Sequence, residues 1–73
     1  MILYLYLGEN LFYQGRIKEA KEQYIKALYI AESIKLKNAI LQIKILLGSF
    51  GLSDEDIINE LEEYKEKKNK IRL

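Results

Sequence analysis

Between residues 17 and 34 apolar side chains return every three or four positions, and no proline occurs anywhere in the 73-residue chain. Ile17, Ala20, Tyr24, Ala27, Leu28, Ala31 and Ile34 fall on one stripe of an α-helix. Lys18, Glu19, Glu22, Gln23 and Lys26 lie opposite them, with Glu22 and Lys26 spaced to pair one turn apart. A strand would need a period of two, so this stretch predicts a helix. Gly15 and Gly51 stand where apolar periodicity breaks, and they divide the chain into segments.

Each remaining segment reads as a helix as well. Residues 2–14 open on ILYLYLG, whose β-branched and aromatic content also permits a short alternating strand. The continuation through Glu9, Asn10, Leu11 and Phe12, close to a second helix, favours the helical reading. Residues 37–47 carry Ala39, Ile40, Leu41, Ile43, Leu46 and Leu47 with little polar face, so this helix is expected to be the most buried. After the turn GSFGLS, Ser53 is placed as an N-cap, and Asp54, Glu55 and Asp56 set negative charge against the positive end of a fourth helix dipole. Ser53 and Asp56 have capping-box spacing, with aspartate in place of Glu or Gln. Ile57, Ile58, Leu61, Tyr64 and Ile71 form that helix's apolar side. The expected fold class is all-α: one small domain of two antiparallel helical hairpins, residues 1–36 and 37–73, joined by short turns.

Composition narrows the chemistry. A chain this short buries only about 60% of the surface its unfolded form exposes, and with no cysteine it has neither disulfide nor thiolate metal site to compensate. Histidine is absent too, which removes the commonest metal ligand and the commonest general base near neutral pH. The acids Asp54 and Asp56 belong to a capping turn, and no constellation of catalytic, cofactor-binding or metal-ligating residues emerges, so neither enzyme activity nor a cofactor is expected. Twelve basic and eleven acidic residues leave a net charge of +1, which gives no attraction to a polyanion. MILYLYLG lacks the basic start and cleavage site of a signal peptide and is far shorter than the ~20 residues of a membrane span. A cytoplasmic protein is expected.

The first hairpin resembles a tetratricopeptide repeat. It reads Tyr4-x₂-Leu7-Gly8-x₂-Leu11, then Gly15 at the turn, then Ala20-x₃-Tyr24 and Ala27, following the family pattern of small and large positions. Gly8 and Ala20 are small where paired helices would meet most closely, and Tyr4, Leu11 and Tyr24 would fill the space around them. Glu32 replaces the family's terminal proline, and the second hairpin matches in architecture alone. The resemblance implies a protein-interaction module whose ligand segment lies along a face built from the first helix of each hairpin. That face would offer Leu5, Glu9, Phe12 and Tyr13, with Ala39 and Ile43 in the second hairpin. The lysines and asparagines with which some members grip a terminal carboxylate are missing, so an apolar or aromatic protein or peptide segment is the expected partner.

The apolar start raises a second expectation. Terminal repeats normally carry a polar outer face, and about three repeats are needed for stability. Ile2, Leu3, Tyr6, Ile25 and Tyr29 are therefore expected to mediate self-association, as a homo-oligomer, or to meet further repeats if the chain is the C-terminal part of a longer repeat protein. A rival reading takes the chain as a small DNA-binding protein that uses residues 47–64 as a helix-turn-helix, from the spacing of Leu47, Gly51 and Ile57. Its would-be recognition helix opens on three acids, which repel phosphate.

Overall fold

The computed structural model describes residues 1–71, with side chains described for residues 1–67. Four helices follow one another: α1 (Ile2–Tyr13), α2 (Ile17–Ser33), α3 (Lys37–Gly48) and α4 (Asp54–Ile71). The start of the chain is helical rather than extended, and no strand occurs among the described residues.

The three turns share one device. Gly15 (φ +80°), Lys35 (φ +58°) and Gly51 (φ +85°) each adopt the left-handed conformation that ends a helix. After α1 the Arg16 N–H reaches back to the Leu11 carbonyl at 2.9 Å, and after α2 the Leu36 N–H reaches the Ala31 carbonyl at 3.0 Å. These are the long bonds of Schellman caps. At the start of α4 the capping box is reciprocal. The Asp56 N–H donates to Ser53 Oγ at 3.2 Å, and the Ser53 N–H donates to the Asp56 carboxylate at 3.1 Å.

Helix α2 is the hub. It packs against α1, α3 and α4, whereas α1 packs against α2 alone and α3 and α4 touch each other as well as α2. Its buried side therefore spreads beyond a single stripe, taking in Ala20, Tyr24, Ile25, Ala27, Leu28 and Ala31, while Ile17 and Ile34 at its ends stay exposed. Ile43 and Leu47 from α3 and Ile57 and Leu61 from α4 complete the core. Tyr64 packs against this cluster and Ile58 is exposed; the side chain of Ile71 lies outside the described residues.

Helix α3 is not the most buried element. Only Ile43 and Leu47 are fully enclosed, and Leu41, Ile45 and Leu46 face outward, because no element covers the side of α3 turned away from α2 and α4. Two ion pairs tie α2 to α4: Lys21 to Glu60 at 3.1 Å and Glu32 to Lys65 at 3.8 Å. Lys26 does not settle on Glu22; its ammonium lies over the Tyr4 ring, 5.9 Å from the centroid, and so joins α2 to α1. The Cα radius of gyration, 11.7 Å, is close to the roughly 11 Å of a compact chain of this length, so the hairpins pack as one body.

Candidate interaction surface

The surface begins with the contact that fixes the orientation of α1. Gly8 is buried against Tyr24 of α2, so closely that a Cβ at position 8 would lie 2.8 Å from the tyrosine ring. Met1, Tyr4 and Leu5 also pack toward the core, on the same side of the helix as Gly8. The helical repeat then turns the opposite side outward. There Ile2, Leu3, Tyr6 and Tyr13 are 74%, 69%, 65% and 77% exposed. Glu9 is the one charged side chain on α1, and it too is exposed.

An aromatic run connects this face with the interior. Tyr13 meets Phe12 edge-on with centroids 6.1 Å apart, Phe12 lies 5.4 Å from Phe50, and Phe50 stacks on Tyr24 at 5.5 Å. Phe50 comes from the α3–α4 turn, so it braces the C-terminal end of α1 across the molecule. Burial pushes the Tyr24 hydroxyl above the usual tyrosine range, and the Glu9 carboxylate and then Tyr13 add to that shift.

The expected site residues divide into two groups. Ile2, Leu3, Tyr6, Glu9, Phe12 and Tyr13 are all solvent-accessible on α1. Leu5 is half-buried against the core and serves as the floor of the helix rather than as part of an open face. Ile25 is 3% exposed, a core residue and not part of an outer contact, because α2 is covered on three sides. Tyr29 is half-buried on the other flank of α2, edge-to-face with Tyr64 at 5.4 Å, and therefore belongs to the α2–α4 contact. In α3, Ile43 is fully buried and Ala39 packs on the core, so the second half of the groove implied by the repeat resemblance is closed.

Two features escaped the sequence reading. One is Phe50, whose signal was a lone aromatic between Gly48 and Gly51 in a turn otherwise free of large side chains until Leu52. The other is the outward pair Leu41 and Ile45 on α3. At the helix-turn-helix candidate, Leu47 and Ile57 are core residues, and the exposed opening of α4 is the acidic run Asp54, Glu55 and Asp56. An open cleft beside α2 and α4 is lined by Tyr29, Glu32, Ser33 and Lys65 and is spanned by the Glu32–Lys65 pair. Among the described residues no helix is long and apolar enough to cross a membrane. Comparison with protein-family models, with curated proteins and with solved structures finds no match for this chain.

Proposed function

We propose that this chain is a non-catalytic interaction module of tetratricopeptide-like build, working in the cytoplasm, which binds a protein segment or a second copy of itself through the outer face of α1. One observation carries the reading. Helix α1 holds a single charged residue, Glu9, and is apolar on two sides, yet α2 is the one helix it packs against, with Phe50 of the α3–α4 turn touching its C-terminal end. A helix that is apolar all round is normally buried all round, so half of its surface is left for a partner. The repeat-like build is supported by Gly8 and Ala20, the small residues of the pattern, both buried at the first hairpin, with Tyr24 filling the space beside Gly8.

Selection of displayed peptides against the folded chain, followed by amide shift mapping, tests the proposal. Binders should be rich in aliphatic and aromatic residues and should perturb Ile2, Tyr6 and Tyr13. Phe12→Glu should weaken them at least tenfold with helicity unchanged. Binders that map away from α1, or an equal loss of helicity in the variant, would overturn it.

A further inference from the structure

We infer that the occupant of the α1 outer face is a second copy of the same chain, docked with the two α1 helices antiparallel about a twofold axis. The inference rests on the interaction-surface reading above and adds the identity and register of the partner. The outer face is self-complementary in only one direction. In an antiparallel pair centred between Leu7 and Gly8, position i of one helix stands level with position 15 − i of the other. Ile2 then meets Tyr13 of the second copy, and Tyr6 meets Glu9.

The sides agree as well as the levels. On the helical repeat, Ile2 and Tyr13 lie close to one line along the exposed face, and Tyr6 and Glu9 lie within roughly 30° on either side of it. A twofold axis perpendicular to an antiparallel pair keeps each residue on its own flank, so these residues near the centre line land beside their counterparts, whereas Leu3 and Phe12, far out on opposite flanks, stay apart. Both Glu9 carboxylates then face a tyrosine hydroxyl able to donate a hydrogen bond, and no two like charges come together. The positive end of each helix dipole also lies beside the negative end of the other. A parallel pair would set Glu9 against Glu9 and align the dipoles.

The area suffices for a weak dimer. The exposed parts of Ile2, Leu3, Tyr6 and Tyr13 offer at most roughly 500 Å² per copy, taking an aromatic side chain as roughly 200 Å² and the aliphatic ones as somewhat less. That is about a tenth of the 5480 Å² surface of the chain. Two copies can bury at most roughly 1,000 Å², which reaches the threshold of a specific interface and falls in the weak, transient class. A micromolar dissociation constant is expected, since area at this level leaves little surplus over the cost of association.

The natural absence of cysteine gives a direct test. Ile2→Cys and Tyr13→Cys chains, mixed and mildly oxidised, should form the crossed disulfide dimer at least tenfold faster than either forms its own. Within one helix these positions are roughly 16 Å apart, beyond the reach of a disulfide. Sedimentation equilibrium from about 1 µM to about 1 mM should show reversible dimerisation with a midpoint in that range, as expected for an interface of this size. Tyr6→Glu should weaken it at least tenfold by facing carboxylate with carboxylate, and adding Glu9→Lys to the same chain should restore it. Preferential Ile2–Ile2 crosslinks would overturn the register. A monomer at every concentration would overturn the second copy. If displayed peptides still map to α1 in that case, the interaction reading survives with a foreign partner; if they do not, both fall.

Discussion

At the scale of single residues, the contact between Gly8 and Tyr24 decides most. A glycine in mid-helix ordinarily costs about 0.5–1 kcal/mol relative to alanine. Here the bare Cα lets the Tyr24 ring lie against the α1 backbone, and Phe50 stacks on the same ring. Gly8→Ala would gain helix propensity but place a Cβ 2.8 Å from the buried Tyr24 ring, which must shift to admit it. A net loss of about 1–3 kcal/mol is expected, as for other overpacked cores, measured as a lower urea midpoint with unchanged slope. A gain in stability would show that Tyr24 can move. The small residue was legible in the repeat-like spacing; the bracing by Phe50 was not, because 26 positions separate the two aromatic residues in the chain.

At the scale of elements, helix ends were the most legible feature, since capping is local chemistry. Ser53 and Asp56 form the box their spacing predicted. Ser53→Ala should cost about 1 kcal/mol and raise amide exchange in the first turn of α4, leaving the protection of α1 untouched. The turn after α2 is the exception. Lys35 takes a left-handed conformation that side-chain-bearing residues reach only at a cost of roughly 1–2 kcal/mol. Lys35→Gly should therefore stabilise the protein by about 0.5–1 kcal/mol, net of the entropy glycine adds to the unfolded chain. A destabilised variant in thermal melts would mean that the lysine side chain contributes more than its backbone strain costs. Nothing in the local sequence announced this turn, because lysine is not a turn former and the Schellman bond to Ala31 forms only once α2 has stopped.

At the scale of the whole molecule, stability is centralised. Every other helix rests on α2, and Leu28 in its middle is fully buried. Leu28→Ala should cost about 2–5 kcal/mol, comparable with the whole stability of about 3–5 kcal/mol that a single core of this size supplies. Loss of all four helices in one transition is expected, followed by circular dichroism and by amide signals in each helix. Retention of α1 and α2 after α3 and α4 have melted would show instead that the hairpins are separate units, as neighbouring repeats in a longer array can be.

The sequence by itself determined that there are four helices, where most of them begin and end (the turn at Lys35 apart), and which small residues allow α1 to approach α2, since periodicity, capping and turn chemistry act over a few residues. The tertiary structure alone decided which apolar faces are covered. Ile25 and Ile45 look alike in a helical pattern, yet Ile25 is 3% exposed in the core and Ile45 is 72% exposed. The difference is one of neighbours: the central helix meets an element on every apolar side, and the outer helices run out of partners. By the same reasoning α1 keeps one apolar side packed and one side free.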